Sequence, residues 1–537
     1  MTIGPRARTS VLPRELRVLA SYAILACALT WPLLAHFATH VPGDGGDDPA
    51  LVWNLWWVRY SLLRGGNPFW CDFIFYPLGI NLAFYTLTVL NGCLSLPLRA
   101  VMGLVPTSNV VLLSSYVLGG YGAYLLARHV LGPRAGASPA AWFAGLVYAF
   151  AAPKLFYAAL GQFNIASSQW MPFAVMYLLR SLEESRRSDW LMAVLFMGFQ
   201  AWAEMTYASF LLVFLGLLVT WRVGLAALSG RSALVGQLRF VVPPVTTIAV
   251  GFLAVVSPLL ANMVPDLLRE GDFTVVEGGF ADVFSADLAG FLVPTVLHPW
   301  LGHVVESALS MASFDKGQHL YFGLSVWFLV GLAVVAAARR SGLGFWFLAA
   351  VSSLLLCLGP DLLINGQRVR VPMPFEVLQE LPIFKANRYP SRYSVLLALA
   401  LAMLGAAGLQ WLAGRCAGRR RDQGERGCGG TPPYARAQDR GRAHGCAPLL
   451  AGGFGLIFLL ENLSVPLPLS DMRIPAIYAA IRDTPGDFAV LEIPLGWRNG
   501  FRITGAHHVG IMFSQYYQTY HEKRLLGGNT SRNPELK

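Results

Sequence analysis

Apolar runs constrain this chain more than any motif in it. Eleven of them are clear, at about 16–38, 107–128, 138–153, 163–180, 189–203, 206–221, 240–262, 320–338, 343–358, 390–414 and 448–464. A bilayer core is crossed by about 20 apolar residues in helical form. In lipid each backbone N–H and C=O must be satisfied within its own segment, so such runs become helices. The expected fold class is therefore an all-α polytopic membrane protein with about 11 transmembrane helices. Composition agrees. Only 13% of the 537 residues are charged and 55% are hydrophobic, whereas soluble domains carry about 25% charged residues. A cytosolic enzyme, a disordered chain and a nucleic-acid reader are excluded. The run from Leu16 to about Ala38 is too long for a cleavable signal peptide and predicts a retained first span.

Charge then sets direction. With the N-terminus inside, more than half of the 41 basic residues fall in cytoplasmic segments. These include Arg6 to Arg17, Arg128 and Arg134, Arg180 to Arg187, Arg222 to Arg239, Arg339 and Arg340, and the arginines of 415–447. The positive-inside rule favours this arrangement, and the net charge of +11 follows from it. A twelfth apolar stretch, about 86–104, is interrupted by Asn91-Gly92, Pro97 and Arg99. Were it to cross, every later loop would flip, so it is expected to be juxtamembrane or re-entrant. The C-terminal tail is then outside. The expected organisation is a transmembrane module, 1–464, with external loops 39–106, 263–319 and 359–389 and an Arg/Gly-rich cytoplasmic loop, 415–447. A C-terminal extracytoplasmic α/β segment follows at 465–537. Within it Asp487 to Pro494 reads as a strand, and the abrupt polar end predicts a chain truncated relative to its relatives. No internal repeat of the kind transporters show is evident. The cysteines match neither a disulfide framework nor a zinc motif.

The first external loop concentrates acids and aromatics. Asp44, Asp47 and Asp48 follow the first span, and Trp53, Trp56, Trp57 and Tyr60 follow them. Aromatic rings settle at headgroup level. Asp48 precedes Pro49, so it is placed either to cap the next helix or to act as a general base or metal ligand at the membrane surface. Asn67-Pro68 and Phe75-Tyr76-Pro77-Leu78-Gly79 make the loop structured.

Here the chain resembles the GT-C superfamily of polytopic membrane glycosyltransferases, in particular its YfhO-type bacterial branch. The resemblance is carried by Gly46-Asp47-Asp48-Pro49 and the tryptophan-rich helix after it, by the Asn67-Pro68 and Phe75–Gly79 segments, and by the turn from Leu126 to Arg134. Leu381-Pro382-Ile383-Phe384 and Arg388-Tyr389-Pro390-Ser391-Arg392-Tyr393 continue it. It covers most of 10–410 and reaches the tail at Val490–Pro494 and Tyr516–Arg532. The order of these segments makes the likeness. It implies inverting transfer of a sugar from a polyprenyl-phosphate donor to an extracytoplasmic acceptor, in a bacterial inner membrane. It implies an acid of the first loop as base or holder of a divalent cation, with Asp48 the best match and Asp47 the second. The family's usual acid or histidine after the third span is replaced here by Gln162 and Asn164.

Other candidates come from position alone. Glu204 lies between two apolar runs, where an ionisable group is either functional or a hydrated turn acid. Lys154, also at an outer end, has a stem long enough to reach headgroup phosphates. Arg388 and Arg392 are four apart and would share a helix face. Against the charge rule, they call for a donor phosphate, a lipid headgroup or an internal acid, and Lys385 is near enough to join. His298 and His319 either approach the outer cavity or are structural. The function expected is glycosyl transfer, with membrane lipids as partners. A transporter or a non-catalytic scaffold is the alternative. Asn529-Thr530-Ser531 matches a glycosylation sequon or a plain turn.

Overall fold

The computed structural model describes residues 11–133, 137–271, 281, 284–308, 320–337, 341–381, 384–385, 387–425, 435–499, 502–505 and 510–531. The chain is mostly helical, and a helix overlaps each apolar run. The first part comprises α1 (Val11–Leu29), α2 (Asp48–Leu63), α3 (Val89–Arg99), α4 (Leu104–Leu131), α5 (Ala137–Phe150) and α6 (Ala152–Ala159). Then come α7 (Met171–Glu183), α8 (Arg187–Ala203), α9 (Met205–Leu228) and α10 (Arg231–Glu270). The rest of the bundle is α11 (Leu324–Ala337), α12 (Gly344–Cys357), α13 (Ser394–Glu425) and α14 (Ala435–Glu461).

Five helical stretches are long and apolar enough to cross a membrane: Leu104–Leu131, Ser138–Ala159, Met205–Leu228, Arg231–Glu270 and Pro390–Cys416. Three shorter apolar helices accompany them. The layering follows burial. The Ser138–Ala159 and Pro390–Cys416 windows are each 89% buried and pack against each other at the centre, whereas the windows of α9 and α10 are only 22% buried. Val242, Val250 and Leu253 of α10 stand exposed. An outer helix with an uncovered apolar flank is suited to lipid, not water. The inner faces meet in one large cluster that includes Tyr22, Tyr116, Tyr124, Phe143, Phe150, Phe210 and Leu397.

The stretch about 86–104 forms the 11-residue α3 and the start of α4. At 1.5 Å per residue α3 is about 16 Å long, half a bilayer core.

Two features place the site. The first is the length of α10. Its 40 residues reach about 60 Å, twice the bilayer core. Its far end braces the first loop. Asn67 donates to Asn262 Oδ1 over 2.9 Å, and Asn81 donates to Asn262 O at 2.7 Å and Asp266 Oδ2 at 2.8 Å.

The second is the C-terminal segment, which is stitched into the first loop. Strand β1 (His40–Pro42) pairs antiparallel with β2 (Leu469–Asp471), in the register Val41 opposite Ser470. The strands β3 (Ala489–Val490), β4 (Gly496–Asn499), β5 (Arg502–Gly505), β6 (Arg524–Leu525) and β7 (Gly528–Thr530) build small sheets, ordered β6–β3 and β7–β4–β5. The helix α15 (Gly510–His521) packs on α2. There Trp53 Nε1 donates to Gln518 Oε1 at 2.9 Å, and Gln518 Nε2 donates to Phe73 O at 2.6 Å. Backbone bonds from Phe75 N to Gly527 O and from Tyr76 N to Leu525 O complete the seam.

Candidate active site

A cavity of about 230 Å³ opens where the first loop, the ends of the bundle helices and the C-terminal segment converge. Its wall includes Asp47, Gln162, Asn164, Glu204, Arg388, Arg392 and Arg498. Five of these were candidates from sequence position. The sequence marks Asn164 only as the neighbour of Gln162 in the same turn, and carries no sign of Arg498.

Asp47 reaches the wall through helix geometry. It is the residue before α2, and Asp47, Ala50 and Leu51 all line the cavity. Positions i, i+3 and i+4 share a helix face. Asp48 is turned by about 100° and enters a pocket of about 10 Å³ beside Val41, Pro42 and Gly161. Asp48 is therefore behind the wall that Asp47 forms. Nor does either acid cap α2 through its side chain: Asp47 is the cap residue without a side-chain bond, and Asp48 Oδ1 instead accepts from Gly45 N at 2.9 Å. Burial pushes the Asp48 carboxyl up to about 7, against the opposing pull of Ser470 and the Gly45 N–H. Gly161, at φ +70°, presses on this carboxylate closely enough that a Cβ there would collide with it.

Asp47 is held from two sides. Gln162 Nε2 donates to its Oδ2 at 2.7 Å, and Arg498 Nη1 lies 3.6 Å from its Oδ1. Burial, with the Asp47 charge beside it, raises the Tyr85 phenol well above its ordinary range. Tyr85 accepts from Asn529 Nδ2 at 3.4 Å.

Glu204 is the single residue between α8 and α9. It is 7% exposed, so it is not a hydrated turn acid. Its Oε1 accepts from Thr206 N, which caps α9, and its Oε2 accepts from Asn164 Nδ2 at 3.1 Å. Gln162 and Asn164, two residues apart, thus each hold one acid of the wall. Their own amide oxygens are buried without a hydrogen-bond partner.

Arg388 and Arg392 both line the cavity but do not share an α-helix face. Pro390 keeps Tyr389 extended, at φ −124° and ψ 80°, and Pro390–Tyr393 is one turn of 3-10 helix before α13. Arg392 is 7% exposed. Its guanidinium stacks 3.9 Å from the Tyr389 ring centre and 5.8 Å from that of Tyr157, with Nε unbonded.

Other candidates lie elsewhere. Lys385 is exposed and off the cavity wall. His298 is buried away from it: its Nε2 lies 3.0 Å from Leu460 O, and its Nδ1 accepts from Trp300 N and Leu301 N. Both ring nitrogens are engaged within the protein, one in the local turn and one at a distant backbone carbonyl. His319 lies outside the described residues. Lys154 does not snorkel outward. It is buried, donates to Ser115 O at 3.0 Å, and lies between the Tyr116 and Tyr148 rings. Asn529 is a buried residue of β7 in the cavity wall, closed to glycosylation as it stands.

A divalent cation needs about six oxygen ligands. Here the Asp47 and Glu204 oxygens are engaged by amide N–H groups, and Asp47 also faces a guanidinium. Among the described residues no three His, Cys, Asp or Glu side chains come together.

No protein-family model and no curated protein matches the chain. Among solved structures it is similar to the Archaeoglobus fulgidus oligosaccharyltransferase in complex with zinc and sulfate, at 13% identity and TM-score 0.48, over 95% of this chain and 62% of that one. It is similar to ArnT from Cupriavidus metallidurans bound to undecaprenyl phosphate, at 13% identity and TM-score 0.43, over 97% of this chain and 86% of that one. It is also similar to the arabinofuranosyltransferase AftD from mycobacteria, at 14% identity and TM-score 0.45, over 89% and 30%. This chain spans less than two thirds of the oligosaccharyltransferase. At these identities and scores the function is left to the geometry of the site.

Proposed function

We propose that this chain is an integral membrane glycosyltransferase that moves a sugar from a polyprenyl-phosphate donor to an extracytoplasmic acceptor. In this reading the chain crosses a bacterial inner membrane eleven times, with the N-terminus cytoplasmic and the cavity outside. One observation carries the reading. A single cavity brings the Asp47 carboxylate from the first loop together with Arg388 and Arg392 from the start of α13. A base and a pair of phosphate-binding cations are the two requirements of transfer from a sugar phosphate.

The roles follow from position. Arg388 and Arg392 hold the donor phosphate. Arg392, stacked on Tyr389 and largely dry, stabilises the charge the phosphate gains as it leaves. The acceptor hydroxyl attacks the anomeric carbon from the face opposite the phosphate. The carbon–oxygen bond to phosphate breaks, and the hydroxyl proton passes to Asp47, with inversion at carbon. Arg498 and Gln162 fix the direction of the Asp47 carboxylate. The unbonded amide oxygens of Gln162 and Asn164 accept from sugar or acceptor hydroxyls.

The test is release of polyprenyl phosphate from a panel of lipid-linked sugars by the purified full chain. Asp47→Asn is expected to lose turnover while still binding donor lipid. An active Asp47→Asn enzyme would sink the assignment.

A further inference from the structure

A second cavity, of about 260 Å³, lies on another side of α2. It is lined by Trp56 of α2, by Arg99 at the end of α3, by the first turn of α4 and by Tyr516, Thr519 and Tyr520 of α15. Leu51 and Trp56 are five residues apart on α2, about 140° around the helix. This cavity is therefore distinct from the one that holds Asp47.

Its charge is uncompensated. Arg99 lines the wall with its Nε buried and unbonded. Arg59 stands three residues after Trp56, beside this cavity and not in its wall, close enough for its charge to act on Arg99. Among the described residues no carboxylate lines the wall. Asp471, which borders Tyr516, is taken by Arg473 at 2.8–2.9 Å. Burial, with the Arg59 charge beside it, holds the Arg99 guanidinium below its ordinary value. Two neighbouring guanidiniums partly withdrawn from water, with no acid between them, are stable when an anion sits there. The wall also includes the start of α4, whose cap Gly103 supplies no side-chain bond, and a helix start adds a favourable field for negative charge.

The surroundings indicate where the anion comes from. Leu94 is 48% exposed and Val101 is 79% exposed, on and just past the same short helix as Arg99. Trp31 and Leu34, at the end of the first apolar run, are also exposed. Exposed apolar side chains beside unpaired arginines suit the boundary between acyl chains and headgroups.

We propose that Arg59 and Arg99, with the start of α4, form a binding site for the phosphate of an anionic membrane lipid, separate from the donor cavity. The site would seat the first-loop helices α2 and α3 on the membrane surface. It depends on the chain being a membrane protein, not on its being a glycosyltransferase.

The test is native mass spectrometry of the full chain in detergent with phosphatidylglycerol or phosphatidylcholine. Wild type is expected to retain phosphatidylglycerol about tenfold better, and Arg59→Gln/Arg99→Gln to lose that preference. Arg99→Lys keeps the charge and should keep part of it. Folding is checked by the melting temperature of each variant. Should the double variant unfold, phenylglyoxal modification of wild-type Arg99 provides the readout, with phosphatidylglycerol expected to protect it. Equal retention of both lipids by wild type, or a full preference in a folded double variant, overturns the proposal. Protection of Arg99 by inorganic phosphate alone would overturn the lipid source.

Discussion

Gln162 donates from Nε2 to Asp47 Oδ2 over 2.7 Å, tying the turn before α7 to the residue that opens α2. With Arg498 3.6 Å away on the other oxygen, the bond fixes the direction of the first-loop carboxylate that lines the active-site cavity. The Gln162 amide therefore acts as a support for the Asp47 carboxylate. Gln162→Ala is expected to lower turnover about tenfold to a hundredfold with little change in donor binding, because it frees the carboxylate without removing it. Steady-state kinetics on a lipid-linked sugar would read this as a fall in kcat at unchanged KM.

Asp48 is expected to show itself through pH. Its folded carboxyl titrates near 7, above the ordinary 3.8, because of burial. A raised carboxyl favours the protonated folded state, so its contribution to stability is full below about pH 4 and is lost as pH rises to 7. Above pH 7 the fold carries a buried carboxylate, at a cost on the order of 4 kcal/mol. Asp48→Asn removes that cost while keeping an oxygen for the Gly45 N–H. The variant should melt higher than wild type at pH 8, with the gap closing toward pH 5. A gap that is constant over this range would contradict the burial argument.

Gly161 is needed for its conformation and its lack of a side chain. It sits at φ +70° against the Asp48 carboxylate. Gly161→Ala should cost about 1–3 kcal/mol and lower the melting temperature, and Gly65→Ala, also left-handed but with open space around it, should cost less.

The seam between the first loop and the C-terminal segment runs through Trp53 and Gln518. Gln518→Leu leaves the fully buried Trp53 N–H without a partner, while the Phe73 carbonyl keeps its bond from Leu525 N. A loss of about 1–3 kcal/mol is expected for the orphaned indole N–H, read as earlier denaturation and as greater protease sensitivity after residue 465.

Much of this was legible in the sequence, for a physical reason. An ionisable residue at the end of an apolar run is costly unless it has a task, so Asp47, Glu204, Arg388 and Arg392 stand out. The order of the two aspartates was not legible. Neighbouring helix positions differ by about 100°, and only the packing of α2 decides which one faces the cavity. Arg498 was invisible because β4 is placed by pairing with β7 and by the distant contact of β1 with β2, and a short polar strand in a tail carries no periodic signal. His298 misleads because a histidine beside a proline looks the same whether it binds a ligand or, as here, closes a turn with one nitrogen and meets the distant Leu460 carbonyl with the other. The helix face expected for Arg388 and Arg392 failed at Pro390, yet the tight turn still brings both to one wall.

The most direct test of the central claim is binding of a polyprenyl phosphate to the purified full chain, by native mass spectrometry. Wild type, Arg388→Gln, Arg392→Lys and Asp47→Asn are compared at matched melting temperature. Wild type and Asp47→Asn should hold the lipid, Arg388→Gln should hold it about tenfold less, and Arg392→Lys should be intermediate. Folded wild-type protein that takes up no polyprenyl phosphate, or equal binding by all four, would contradict a donor site built on Arg388 and Arg392.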